Sequence, residues 1–251
     1  MALASQIAHA LQTRPDLLLI LGHGSGSFGH TAAKKYGTRD GPPLSPPIFE
    51  ENGGGTRGGY WKGFAEVWYQ ATTLNRYVLQ ALHEAGISAM TFSPAASVWS
   101  ENGKVVEWDL SQIKYALETG ILPVVHGDVI FDRAKGGTIL STEELFEHLA
   151  RELHPQRILL AGLEEGVWAD FPARKHKVQK LTRESFDEIK QNTGKATGTD
   201  VTGGMESKVR QMLELVETVP GLTIQIFSGE NSENLEKALL GEHLGTLIEP
   251  N

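Results

Sequence analysis

The chain has 251 residues, 40% of them hydrophobic and 22% charged, with a formal net charge of −8 and no cysteine. That length supports a sizeable core in one large domain or two lobes, and the acidic balance argues against general binding of nucleic acid or anionic membranes. Lack of cysteine excludes a disulfide framework, a thiolate metal site and a cysteine nucleophile. In chain order, Leu3, Ile7, Ala10 and Leu11 recur at helical spacing and predict a helix over 1–13. The apolar run Leu17-Leu18-Leu19-Ile20-Leu21 predicts a buried strand over 17–22. It leads into Gly22-His23-Gly24-Ser25-Gly26-Ser27-Phe28-Gly29-His30. Residues 37–59 are rich in Gly and Pro, with Gly53-Gly54-Gly55 near the end, and read as a long loop of the kind that forms lids or excursions. A helix over 60–85 carries Trp61, Phe64, Val67, Trp68, Leu74, Val78 and Leu82. Short strands are predicted near 88–92 and 104–108, a helix at 110–118, and a buried strand at 121–125 ending in His126-Gly127-Asp128.

The second half repeats the alternation. A helix (142–153) leads to a strand (157–161), a hairpin at 166–180 and a helix at 183–191. A helix at 203–217, a strand at 223–227, a helix at 231–240 and a strand near 245–248 complete the course. Strands separated by helices indicate an α/β fold around a mainly parallel sheet. No apolar run reaches the roughly 18 residues of a membrane span and no signal-peptide pattern opens the chain, so a cytoplasmic location is the default expectation. No repeat, low-complexity segment or interdomain linker interrupts the pattern.

Ligands of such sheets gather at the carboxyl ends of the strands, and residues 22–30, 126–128 and 161–166 all fall there. The first segment combines glycines, whose N–H groups can approach an anion closely, with His30, an imidazole able to donate a hydrogen bond to an anion. It is a candidate phosphate cradle, although it has neither P-loop nor strict Rossmann spacing, and a plain Gly-rich strand-to-helix turn has the same composition. His23, beside the strand end, is expected to be structural. The second candidate is Asp200-Val201-Thr202-Gly203-Gly204-Met205-Glu206-Ser207-Lys208. Thr202 can cap a helix whose first N–H groups and positive dipole end favour an anion, and Lys208 projects one turn after Gly204. A nucleotide phosphate fits there; an ordinary capped helix with a solvated lysine is the plain alternative. Asp128 could orient a lysine or help indirectly with Mg²⁺, with Gly127 allowing close ligand approach, or form an Asx turn. Glu143 and Glu144 read as a favourably charged helix start rather than as bases. The Trp61–Trp68 face packs in the core by default, with part of it available to line a pocket. The nine histidines lack H-x-x-x-H spacing, so no zinc site is expected.

Taken together, GHGSGSFGH (22–30), AAKKYG (32–37), PVVHGDVIFD (123–132), TGGMESK (202–208) and ALLGEHLGTLI (238–248) resemble the amino acid kinase superfamily. More narrowly, they resemble its isopentenyl phosphate kinase family. The resemblance covers nearly the whole chain. It implies a three-layer αβα sandwich around a mainly parallel sheet, as one domain with an acceptor-binding N-lobe (about 1–155) and a nucleotide-binding C-lobe (about 156–251). It implies transfer of a phosphoryl group from ATP, with Mg²⁺, to isopentenyl phosphate. It assigns catalytic roles to His30, against the acceptor phosphate, and to Lys208, against ATP. Substrate binding falls to Gly24, Ser25, His30, Val129, Ile139 and Thr142, with Val129 and Ile139 near the isoprenoid tail. Nucleotide binding falls to Ser25, Gly26, Leu163, Gly203, Gly204 and Lys208. No protein metal ligand is assigned, and a homodimer is expected.

Three departures accompany the resemblance. Members commonly begin with a strand bearing Lys-x-Gly-Gly-Ser and a second lysine, and no such motif occurs here. Ser141-Thr142-Glu143 stands where many members have Ser-Gly-Asp. Gly162-Leu163-Glu164-Glu165-Gly166-Val167 stands where many have Thr-Asp-x-Asp-Gly-Val. Other readings therefore stay open: a kinase of the same fold for another small phosphate or phosphonate, as in fosfomycin kinases, or a non-catalytic protein that binds nucleotide or phosphate.

Overall fold

The computed structural model describes residues 2–43, 57–170, 173–192 and 203–251, and divides into two compact units. The opening helix, α1 (Ala2–Thr13), groups with the C-terminal half rather than with its sequence neighbours. The Gly53–Gly55 run of the expected loop and the expected Thr202 cap lie outside the described residues.

The first unit, Asp16–His148, starts with β1 (Leu21–His23), α2 (Gly26–Tyr36) and the 28-residue α3 (Arg57–Glu84). Next come β2 (Ala89–Thr91), the short α4 (Pro94–Ser97), β3 (Val98–Glu101), β4 (Lys104–Trp108) and α5 (Ser111–Glu118). Then follow β5 (Leu122–His126), β6 (Asp128–Asp132), β7 (Gly136–Leu140) and the start of α6 (Thr142–Leu153). One sheet has the order β1-β5-β2 and is parallel throughout, as β-α-β crossovers require. The other has the order β4-β3-β6-β7, parallel only between β3 and β6. Their core includes Tyr60, Phe64 and Val67 of α3, packed with Ala32 and Val129.

The second unit holds α1 with β8 (Arg157–Gly162), β9 (Lys180–Leu181), α7 (Arg183–Asn192), α8 (Gly203–Thr218), β10 (Thr223–Ser228), α9 (Asn234–Leu240) and β11 (Thr246–Ile248). Its sheet runs β8-β10-β11-β9, antiparallel only between β10 and β11. Gln6 explains where α1 sits: its Oε1 accepts the N–H groups of Leu235 and Glu236, satisfying donors at the start of α9. The Arg157 guanidinium donates to the carbonyls of Ala238 (2.7 Å) and Leu239 (2.9 Å) at the other end of that helix.

Two expectations need correction. The apolar run at 17–21 is not a buried strand. Its paired part is only Leu21–His23, half-buried at the edge of its sheet, and Leu18 is 70% exposed. The strand through 121–125 does not simply end at Gly127. The chain turns there and continues as β6 in a different sheet, paired with β7, and neither of these nor β3 was anticipated.

Candidate functional site

The parallel register places His23 at the end of β1 directly beside His126 at the end of β5. Their rings stack with centroids 5.4 Å apart and planes 7° from parallel. His23 Nδ1 lies 2.9 Å from the Gly24 carbonyl oxygen and Nε2 lies 3.0 Å from Asn75 Oδ1 on α3, so this histidine is structural as expected. Burial lowers its pKa, against those two hydrogen bonds, with His126 adding to the lowering. Behind it, Asp128 Oδ2 sits 3.4 Å from His126 Nε2, and both side chains are buried. Burial pushes the Asp128 carboxyl up, against the pull of His126 and of the Val129 N–H, which donates to Oδ1 at 2.8 Å. Among the described residues, both ring nitrogens of His126 and Asp128 Oδ2 lack a full hydrogen bond.

From His23 the chain passes Gly24 and Ser25 into α2, which Gly26 opens. Ser25 makes no side-chain cap, so the first N–H groups of α2 stay available to an anion. His30 lies one turn along, exposed. Two residues later, Ala32 turns inward to the cluster holding Tyr60, Phe64, Val67 and Val129, with Ile139 packed against it. Val129 and Ile139 face each other across the β6–β7 hairpin. Gly24, Ser25, Gly26 and His30 thus lie on one turn and helix start, and the two expected tail residues pack against the buried side of that helix. The ring of Phe64 lies 5.2 Å from that of Trp61 and 5.3 Å from that of Phe131. A groove of about 440 Å³ between α2 and α3 is lined partly by Ser27, Thr31, Lys35, Glu66 and Gln70. The buried Phe64 and Val67 are not part of its lining.

Thr142, expected to touch substrate, directs its hydroxyl inward. It donates to the His23 carbonyl (2.6 Å) and accepts from the Gly127 N–H (3.0 Å). Gly127 therefore admits protein, not ligand: a Cβ there would press on Leu140 O and Thr142 N, each at 3.3 Å. Glu144 forms a capping box with Ser141, each side chain bonding the other's backbone N–H, and pairs with Arg39. The expected helix start is found here.

In the second unit, β8 and β10 run side by side until Gly162 meets Ser228, and the Gly229 N–H donates to the Gly162 carbonyl at 2.7 Å. Leu163 follows, 77% exposed. A cavity of about 160 Å³ beside these strand ends is lined by residues that include Glu165, Lys177, Ser228, Asn231 and Asn234. Asn234 Nδ2 donates to the Ser228 carbonyl at 3.0 Å. Glu165 falls in the 161–166 segment singled out in the sequence, but the others do not; the available signal for them was Ser228-Gly229 directly after an apolar strand. Gly203 and Gly204 open the 16-residue α8, and Lys208 is half-buried on it. Among the described residues no group of three His, Asp or Glu is placed to hold a metal ion, and no helix is long and apolar enough to cross a membrane.

Known proteins similar to this chain include several isopentenyl phosphate kinases. The isopentenyl phosphate kinase of Methanothermobacter thermautotrophicus is 36% identical over 251 residues, spanning 98% of this chain and 88% of that protein. The isopentenyl phosphate kinase of Methanocaldococcus jannaschii is 30% identical over the same shares. A crystal structure of an isopentenyl phosphate kinase superposes with a TM-score of 0.77 at 28% identity, covering 98% of this chain and 90% of that one. The sequence model of the amino acid kinase family matches residues 1–228. With its α/β fold and its glycine turn ending in His30, the chain belongs to the amino acid kinase family, among the isopentenyl phosphate kinases.

Proposed function

We propose that this chain transfers the γ-phosphoryl group of ATP to isopentenyl phosphate, giving isopentenyl diphosphate and ADP for isoprenoid biosynthesis. One observation carries the reading: an uncapped helix start after the 24–25 turn, with His30 exposed one turn later. Phosphoryl transfer depends on positioning and on neutralising oxygens more than on covalent chemistry. The acceptor is itself a phosphate oxygen, so no side-chain nucleophile is needed. His30 holds the acceptor phosphate by a charge-assisted hydrogen bond, and the amides of Gly24, Ser25 and Gly26 take phosphate oxygens. Val129 and Ile139, backed by Tyr60 and Phe64, give the five-carbon tail an apolar wall. Thr142 acts from behind the turn by fixing the His23 carbonyl.

In the second unit, Gly203 and Gly204 offer N–H groups at the positive end of α8 to the phosphates of ATP, and Lys208 offsets their charge. Leu163 gives the nucleoside an apolar contact. Mg²⁺ would arrive on the nucleotide phosphates, keeping several of its waters, and supply further charge neutralisation. A homodimer belongs to the same reading and is checked by sedimentation.

The test is ³¹P NMR of the chain with ATP, Mg²⁺ and isopentenyl phosphate, followed by the same measurement with fosfomycin and other small phosphates. New diphosphate resonances with isopentenyl phosphate, growing in step with ADP, support the reading. Preferred turnover of a phosphonate, or tight ATP binding with no turnover of any acceptor, overturns it.

A further inference from the structure

Asn75 lies deep in α3, 52 residues from the glycine turn, and is only 3% exposed. Its amide joins two elements: Nδ2 donates to Thr91 Oγ1 at the end of β2 (3.0 Å), and Oδ1 faces His23 Nε2 (3.0 Å). The opposite edge of the His23 ring meets the carbonyl oxygen of Gly24 at 2.9 Å. A carbonyl oxygen only accepts, so Nδ1 must carry a proton. With Oδ1 of Asn75 facing it, Nε2 carries one too, and the ring is an imidazolium. A half-turn of the amide presents Nδ2 instead and lets Thr91 donate to Oδ1, and the buried ring is then neutral. Nδ1–H is common to both states, so the bond to Gly24 survives either way.

That bond has a directional consequence. The Gly24–Ser25 peptide is planar, with its C=O and N–H pointing in opposite directions. Glycine at position 24 imposes little preference of its own on that plane, and a Cβ there would meet nothing closer than 4.0 Å. Holding the carbonyl against His23 therefore aims the Ser25 N–H away from the ring. Thr142 and the Gly127 N–H fix the preceding His23 carbonyl, so the ring's orientation is the remaining freedom. Asn75 removes it.

We propose that Asn75 is a positioning residue of the phosphate site, acting through His23 to set the plane of the Gly24–Ser25 peptide and the direction of the Ser25 N–H. The proposal rests on the reading of this turn as the phosphate cradle. Asn75→Leu removes both polar ends at similar volume, while Asn75→Asp keeps an acceptor against Nε2.

The first experiment is ¹⁵N correlation spectroscopy of the His23 ring in the unmodified chain, which is expected to show a protonated Nδ1. In Asn75→Leu that signature is lost, the Ser25 amide no longer shifts with inorganic phosphate, and KM for isopentenyl phosphate rises about tenfold, the equivalent of one hydrogen bond. KM for ATP stays within about twofold, and Asn75→Asp recovers most of the acceptor affinity, which a purely structural role would not produce. An unprotonated Nδ1 in the unmodified chain overturns the proposal even if the leucine variant does not fold. So does a folded leucine variant with unchanged acceptor KM. Should isopentenyl phosphate not be turned over at all, the functional reading fails, while the ring and the Ser25 response to phosphate still decide the role of Asn75.

Discussion

Asp132 ends β6 and ties two hairpins together. Its Oδ2 accepts from Ser100 Oγ (2.8 Å) and the Gly103 N–H (2.8 Å), while Oδ1 accepts the N–H groups of Asn102 (3.1 Å), Ala134 (3.0 Å) and Lys135 (2.8 Å). Burial alone would raise its carboxyl, but those donors outweigh it and bring the pKa from 3.8 down to about 2. At about 1.4 kcal/mol per unit, the charged form stabilises the fold by about 2 kcal/mol. Because the folded-state value lies below the unfolded one, that stabilisation is complete above pH 3.8 and is lost as pH falls toward about 2. Asp132→Asn removes the charge and turns an NH₂ toward backbone N–H groups, which can only donate. Urea unfolding followed by tryptophan fluorescence should show about 2–3 kcal/mol of destabilisation, constant between about pH 5 and 8 and shrinking below about pH 4. The same hairpin carries Val129 and Ile139, so KM for isopentenyl phosphate should rise with it. Destabilisation under about 0.5 kcal/mol at neutral pH, or a value that does not shrink in acid, would refute the reasoning.

Phe64→Ala should destabilise the fold by about 3–5 kcal/mol in urea titrations, since it opens a cavity in the aromatic cluster behind Val129, and should weaken selection for the five-carbon tail in a substrate panel. Thr142→Val leaves the buried Gly127 N–H without its side-chain acceptor; about 1–3 kcal/mol of stability should be lost, with acceptor KM raised and ATP KM unchanged in initial-rate assays. Lys208→Ala should raise KM for ATP about tenfold while binding of isopentenyl phosphate, measured by calorimetry, stays the same.

Local periodicity made much of the chain legible. The apolar spacing of Phe64, Val67, Leu74, Val78 and Leu82 announced α3, and Ser141 with Glu144 announced the start of α6. The β6–β7 hairpin was hidden because His126-Gly127-Asp128 reads as a strand end, while the close approach that breaks the strand there is made by Thr142, fifteen residues on. A weak signal was present in the apolar residues 129–131 and 139–140 on either side of Gly136-Gly137. The glycine turn and His30 were visible because they are contiguous in sequence, and the phosphate role proposed for them draws on residue types that stand together there. Asn75 was not visible, since its contacts with His23 and Thr91 arise only from the tertiary packing of α3, and nothing local distinguishes one polar residue in a long amphipathic helix.

The most direct measurement is the His30→Ala variant assayed for turnover of isopentenyl phosphate alongside calorimetric ATP binding. The expected result is a fall of about 100-fold or more in kcat/KM for the acceptor, with the ATP dissociation constant within about twofold of the unmodified chain. Undiminished acceptor turnover, or ATP binding weakened in proportion, would contradict it.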